Sequence, residues 1–384
     1  MSVTKFSTST KVAVLYHFFP HYRAPVLRAL AKSEKFSFSF WGDVKPLEGI
    51  MPFTGDESVY INRLHTTFVK DRIKIEGYNG VFADRDLKAL IILGNPNILA
   101  TWKIALWGRL RNIKVLFWTH GWLRKETLLK AAVRNLYYSL SNCVLVYSDR
   151  AKTLAMASGF NDRHVVPIYN SLDWTVATAL YERLDDETSH SVRNELDISR
   201  EKKLLICTAR ITTLCRFDLL LSAVSSLNRR GYSLTILLVG DGPERSNIEK
   251  LSKTEDVDVR FLGSIYDEAL LARLIYASDL TVSPGKVGLT AMHSLSYGTP
   301  VVTHSDLDAQ MPEVEALTEG VTGFFFEKDN VESLSSAILR GLAAGSQRES
   351  VRVACREIIR ARYTPEAQRQ FIETALDDVL GISR

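Results

Sequence analysis

What this chain lacks removes several classes of protein before any motif is read. Cysteine is scarce: Cys143, Cys207, Cys215 and Cys355 lie far apart and without metal-ligand spacing. A reducing compartment is therefore expected, with no disulfide framework and no metal site. A surplus of one charge sign is missing too, since 48 Lys and Arg stand against 44 Asp and Glu for a net charge of +4. That argues against nucleic acid as the main partner, while a local basic patch can still meet a membrane surface. The first apolar run, Val12–Tyr16, is too short to cross a bilayer, and Met1–Thr10 are polar, so no signal segment is expected and the location reads as cytoplasmic. Internal repeats, low-complexity tracts and heptads are absent, which excludes solenoids and coiled coils.

What is present is ordinary globular composition, 46% hydrophobic and 24% charged, in 384 residues. That length exceeds the usual single core, so two domains are expected. Short apolar runs alternate with helical patterns throughout. In the first half the runs are Lys11–Tyr16, Phe36–Trp41, Leu90–Leu93, Val115–Trp118, Cys143–Tyr147 and Val165–Ile168. In the second they are Leu204–Ala209, Leu234–Val239, Val259–Leu262, Leu280–Ser283 and Val301–Thr303. Runs apolar on both faces, separated by amphipathic helices, predict parallel sheets covered on both sides, with ligands at the carboxyl ends of the strands. The polar, Ser-rich stretch Glu182–Lys203 between the halves reads as the interdomain connection.

One stretch combines several signals. Leu280–His304, LTVSPGKVGLTAMHSLSYGTPVVTH, reads as strand, glycine loop, helix, strand. The amides of Gly288, Leu289 and Thr290 open a helix whose first N–H groups lack internal partners and whose dipole favours negative charge, so phosphate is the natural guest. Other candidates flank it. Arg210 directly follows a buried strand and Arg216 lies six residues on, so both guanidiniums are within reach of one diphosphate. His120 ends a strand beside Gly121, and His17–Tyr22, HFFPHY, is an aromatic loop after the first strand. Each has a bland alternative: solvated arginines, a structural histidine, a plain α/β connection.

The segments ARITTLCRFDLLLSA, LLVGDGPERSNIEKL, VRFLGS, ASDLTVSP, GLTAMHSLSYGTPVV and EALTEGVTGFFFE, in this order and spacing, resemble the retaining glycosyltransferases of family 4. The resemblance implies an α/β, GT-B architecture: two Rossmann-like parallel-sheet domains facing a central cleft. The expected limits are an acceptor-binding domain at 1–185, a linker at 186–203, a nucleotide-sugar-binding domain at 204–364 and a terminal helix at 365–384 that returns to the first domain. It also implies donor contacts at Arg210, Arg216, Leu262, Gly285, Val287, Gly288, Leu289, Thr290 and His293. His120 matches a histidine near the transferred sugar, and NSLD at Asn170–Asp173 matches the hinge. Three departures stand out. Cys215 occupies a lysine position, and Gly285 and His293 occupy the positions of two glutamates that contact the donor sugar and the ribose. In place of the glycine-rich first loop stand His17, His21, Tyr22 and Arg23, expected to read an acceptor or a phosphate.

The activity implied is transfer of a sugar from a nucleotide diphosphate-sugar to a glycan or polyprenyl-linked saccharide acceptor, with retention, as in surface polysaccharide synthesis. Its front-face chemistry uses His120 and Arg210 and needs no metal and no cofactor. Asp306-Leu307-Asp308 imitates a metal-binding pattern but follows the wrong kind of strand. A GT-B sugar epimerase and a non-catalytic nucleotide-sugar binder are the alternatives. A nicotinamide-dependent oxidoreductase is a third, and it lacks a G-x-G-x-x-G after the first strand. Trp102, Lys103, Leu106, Trp107, Arg109, Leu110, Arg111 and Lys114 combine aromatic, apolar and basic residues within a span of about four helical turns, which predicts peripheral contact with an anionic membrane at the inner face of the plasma membrane.

Overall fold

The computed structural model describes residues 9–46, 50–69, 72–124 and 126–382; most of the polar start, residues 1–8, lies outside them. The chain divides into two compact units, one of residues 1–172 with 364–384 and one of residues 173–363.

The first unit is built on seven strands: β1 (Thr10–Phe18), β2 (Phe36–Asp43), β3 (Ile61–Arg63), then, after the antiparallel hairpin β4 (His65–Val69) and β5 (Arg72–Glu76), β6 (Ala89–Leu93), β7 (Lys114–Trp118), β8 (Cys143–Val146) and β9 (Val165–Pro167). Their order is β3-β2-β1-β6-β7-β8-β9, and every recorded pairing is parallel. Alternation along β1 explains the two-sided core. Val12, Val14 and Tyr16 pack with Leu27, Leu30 and Phe40, whereas Ala13 and Leu15 face Leu90, Ile104 and Tyr137 on the other side. The covering helices are α1 (Ala24–Ala31), α2 (Leu99–Leu110), α3 (Leu128–Tyr138) and α4 (Asp149–Ala157). Ser148 caps the last of these, its Oγ accepting from the Ala151 amide at 3.1 Å, as its residue type predicts.

The second unit begins with α5 (Trp174–Tyr181) and α6 (Asp186–Glu195). Here the expected linker needs correction. The polar stretch folds into α6 because Asp185 and Thr188 form a reciprocal capping box and because Val192 joins the unit's core. Arg193 closes the turn, donating to the carbonyls of Ser199 and Lys202. A six-stranded sheet follows: β10 (Lys203–Thr208), β11 (Leu234–Val239), β12 (Asp258–Gly263), β13 (Leu280–Ser283), β14 (Val301–His304) and β15 (Gly323–Phe326), in the order β12-β11-β10-β13-β14-β15 and parallel throughout. The helices are α7 (Phe217–Arg229), α8 (Arg245–Thr254), α9 (Glu268–Ala277), α10 (Leu289–Ser296), α11 (Val331–Ala344) and α12 (Arg348–Arg362). The turn after β11 is sterically specified, since Gly240 has φ +138 and a Cβ there would lie 1.9 Å from the Ala209 carbonyl oxygen.

The last helix, α13 (Pro365–Leu380), belongs to the first unit. Ile372 and Leu376 pack into the β1 side of its core, and the buried Asp377 pairs with Lys35 at 2.5 Å.

Candidate functional site

In the second unit the predicted residues gather at the carboxyl ends of β10 and β13. Thr290 Oγ1 donates to the Thr208 carbonyl at 2.8 Å, which ties the first turn of α10 to the end of β10. Gly288 opens that helix, and a methyl group on it would meet nothing nearer than Met311 Cγ at 3.7 Å. Its missing side chain is thus not demanded by packing, and the next polar group toward that position is the buried Glu313 carboxylate, 4.0 Å from where the methyl group would lie. Arg210 follows β10, is exposed, and makes no ion pair among the described residues, so its charge is available to an anion.

The same region corrects three readings. Val287 does not extend the amide cradle: its N–H donates to Gln310 Oε1 at 2.8 Å, and the buried Gln310 is spent on Thr303 Oγ1 and the His304 carbonyl as well. Arg216 sits in left-handed conformation at φ 52 and pairs with Asp218 at 3.1 Å and with Asp329, so its charge is already balanced. Gly285 has no room for any side chain, because a Cβ would lie 1.8 Å from the Leu214 carbonyl oxygen; its own carbonyl accepts from His304 Nε2. The turn Thr213–Cys215 therefore fills the direction in which a side chain at 285 would point. Asp306 meets Lys328 at 3.1 Å.

His293 lies on α10 with Nδ1 3.3 Å from Glu268 Oε1, and Glu268 also accepts from Tyr297 Oη at 2.6 Å. Burial pushes the Glu268 carboxyl up, but the hydrogen bonds from His293 and Tyr297 outweigh it and leave the group below the ordinary range. Leu262 is half-buried within β12. Glu268 and Gln310 escaped sequence reasoning because their partners are tertiary. No local pattern announces a carboxylate on one helix facing a histidine on another.

The first unit holds a separate cluster around a cavity of about 670 Å³, lined among others by Arg23, Trp118, His120, Tyr147, Leu129 and Val133. Arg23 lies in the short 3-10 turn His21–Arg23 that leads into α1. Its guanidinium sits 5.0 to 5.5 Å from the ring centroids of Tyr16, Trp118 and Tyr147, donates to Tyr147 Oη, and leaves Nη1 buried without an acceptor. His120 packs edge-on to Tyr147 at 4.9 Å. Desolvation by the surrounding protein, then the Arg23 charge, lower its pKa to about 4, so the imidazole is neutral at pH 7 even though the residue keeps solvent access.

Of the four first-loop candidates, Arg23 alone lines this cavity. His17 belongs to β1, which runs two residues further than its apolar pattern suggests, and burial lowers its pKa to about 4. His21 is exposed, with Nδ1 3.3 Å from the Met51 carbonyl, and Tyr22 is half-buried beside it at 5.6 Å. Tyr147 was missed, though it follows the apolar run of β8 much as His120 follows β7, so the strand-end argument applied to one would have found the other.

Two α/β units with parallel sheets of these orders define the class: the chain has the GT-B fold. Residues 202–344, most of the second unit, match the family described as "Glycosyl transferases group 1". The chain is 33% identical over 151 residues to a glycogen synthase of Leptothrix cholodnii, covering 36% of this chain and 30% of the relative. It is 30% identical over 122 residues to a GDP-mannose-dependent alpha-(1-6)-phosphatidylinositol dimannoside mannosyltransferase of Mycobacterium tuberculosis, covering 31% and 29%. The match thus spans about a third of these relatives' length. Among solved structures, HepE of Anabaena in complex with UDP superposes over 96% of this chain and 100% of that one, with TM-score 0.71 and 16% identity. A glycosyltransferase of Rickettsia africae superposes over 98% and 100%, with TM-score 0.73 and 13% identity.

Proposed function

We propose that the protein is a glycosyltransferase that moves a hexosyl group from a nucleotide diphosphate-sugar to a glycan or lipid-linked saccharide, with retention of anomeric configuration. The observation that carries this reading is the edge of the second unit where Arg210, in no ion pair among the described residues, follows β10 and the N-terminus of α10 is tied to that same strand by Thr290. It lies within the stretch that matches the glycosyltransferase family. A guanidinium and helix amides stabilise a leaving diphosphate as charge develops on it. The diphosphate then takes the proton of the incoming hydroxyl while the sugar passes through an oxocarbenium-like state, so no enzymic nucleophile is required. A neutral His120 suits a place beside the sugar, where it accepts or donates one hydrogen bond without adding charge.

The acceptor reading places the protein at the inner face of the plasma membrane, in surface polysaccharide synthesis. No helix among the described residues is long and apolar enough to cross a membrane. The outer face of α2 suits a peripheral contact: Leu106, Trp107 and Leu110 are exposed, with Lys103, Arg109 and Arg111 among them. Trp102 does not share that face. Its ring packs on Tyr137 at 4.8 Å and its Nε1 donates to the Pro96 carbonyl.

The test is a panel of UDP-, GDP- and dTDP-sugars, read first by thermal shift and then by release of the nucleoside diphosphate in the presence of lipid-linked acceptors. Stabilisation by one nucleotide series, followed by turnover with its sugar, supports the reading. Absence of any nucleotide-dependent shift overturns it.

A further inference from the structure

The guanidinium of Arg23 is a poorly compensated charge, held among aromatic rings with one nitrogen, Nη1, buried and without an acceptor. It makes no ion pair among the described residues, and its surroundings are the rings of Tyr16, Trp118 and Tyr147. Aromatic faces offset part of the cost of burying a cation, but they do not replace a counter-ion. Its Nη1 has no acceptor, and the residue opens onto the cavity with His120. Such a group is built for an anion that arrives with a ligand.

The rim of the cavity says what the rest of that ligand is. Helix α3 is amphipathic, yet its apolar stripe faces outward: Leu129, Val133 and Leu136, spaced four and three apart, are 77%, 45% and 62% exposed. Leu129 and Val133 belong both to that stripe and to the cavity wall, so one apolar surface runs from the outside of the helix into the site. Along the cavity wall the basic Arg23, Lys130 and Arg134 stand against one acid, Glu126. Glu126 itself is paired with Arg134 at 2.5 Å. Basic side chains beside exposed leucines are complementary to anionic lipid headgroups.

We propose that this cavity binds the phosphate head of an amphiphilic ligand held at a lipid surface, the phosphate paired with Arg23 and the apolar portion lying along Leu129 and Val133. The proposal rests on the transferase reading only in taking this ligand as the acceptor. His120 lines the same cavity, and Lys130 stands at its rim.

The experiment measures binding to the full chain by calorimetry at matched ionic strength, with octyl phosphate, octyl glucoside and inorganic phosphate below any micellar concentration. Octyl phosphate should bind at least about tenfold more tightly than either of the others. The R23Q variant should lose at least about tenfold of that affinity, the scale of one charge-assisted contact. L129S/V133S should weaken octyl phosphate while leaving inorganic phosphate unchanged. Should R23Q fail to fold, the wild type still decides: an anion that neutralises Arg23 should raise the His120 titration seen by NMR, and an unmoved titration overturns the proposal. So does octyl glucoside binding as tightly as octyl phosphate, inorganic phosphate matching it, or R23Q binding it unchanged. Nucleoside diphosphate binding, followed in parallel, reports on the second unit. Its failure would sink the transferase reading and leave the octyl phosphate result standing.

Discussion

His293→Glu puts the carboxylate of the resembling family back where this chain has an imidazole, and the structure says what it would meet. Glu268 Oε1 lies 3.3 Å from His293 Nδ1 and already accepts from Tyr297 Oη. A second carboxylate there replaces a hydrogen bond by repulsion. Two unit charges about 4 Å apart interact by about 4 kcal/mol at an effective dielectric near 20. Protonating one Glu at pH 7 against an ordinary pKa near 4.3 costs about 3.7 kcal/mol, which caps the penalty. Both side chains keep some solvent, 26% for His293 and 38% for Glu268, and screening lowers the expectation to roughly 1–3 kcal/mol. For a unit of this size that is roughly 2–12 °C in melting temperature. The sign with pH follows from linkage. Repulsion raises the folded-state pKa of the pair above the unfolded value, so the variant's deficit is absent below about pH 4 and grows as pH rises through the raised pKa towards 7. His293→Gln, neutral and still able to donate to Glu268, should lose less than about 1 kcal/mol. Thermal melts of both variants and the wild type at pH 5 and pH 7.5 decide the matter. A His293→Glu protein as stable as wild type at pH 7.5 would refute the pairing with Glu268.

Three further outcomes follow from the same geometry. Arg210→Ala should weaken nucleoside diphosphate binding by roughly 1.5–3 kcal/mol with the melting temperature unchanged, and calorimetry showing equal affinity would remove Arg210 from the site. Gly285→Ala should cost roughly 1–3 kcal/mol of stability, because its methyl group would fall 1.8 Å from the Leu214 carbonyl oxygen. Gly288→Ala, whose methyl group meets nothing nearer than 3.7 Å, should cost clearly less, and equal melts for the two would contradict this. In sedimentation with anionic vesicles, Leu106→Ser/Leu110→Ser should bind at least roughly tenfold more weakly than wild type, since burying each Leu contributes about 1.5–3 kcal/mol; unchanged pelleting would take α2 off the membrane.

The architecture was legible where a strand is buried on both faces, because such strands are continuous apolar runs: Leu204–Ala209 and Leu234–Val239 appear as β10 and β11 with ends shifted by at most a residue. It was illegible where an element is short or polar. β3 has three residues, and α12, whose mean composition is polar, is held by Arg352 stacking on Tyr276 at 3.5 Å and by guanidinium bonds to carbonyls, an arrangement with no signature in spacing. The polar α6 was mistaken for a linker for the same reason. At the sites, strand-end logic found Arg210 and His120 but said nothing about occupancy. That Arg216 is held by Asp329 as well as by its neighbour Asp218, and that the Val287 amide is taken by Gln310, are facts that depend on residues 113 and 23 positions away in sequence.

The two positions at which the resembling family carries glutamates differ physically in this chain, and under the proposed donor-binding role the difference has consequences. At 285 the loss is structural. The turn Thr213–Cys215 has closed over the glycine, so a carboxylate cannot be restored without moving that turn. At 293 the loss is chemical. The imidazole is accompanied by Glu268, which supplies an acid within 3.3 Å from a different helix. A carboxylate therefore stands near position 293, carried on α9 with His293 beside it. Under the donor-binding role proposed for this edge, recognition would lean on Arg210 and the helix amides of Leu289 and Thr290, groups that read a diphosphate and are indifferent to which sugar it carries. On the proposed reading, selectivity for the sugar would come from elsewhere in the protein, since Gly285, with a Cβ direction closed by the Leu214 carbonyl, is the position least able to carry a glutamate.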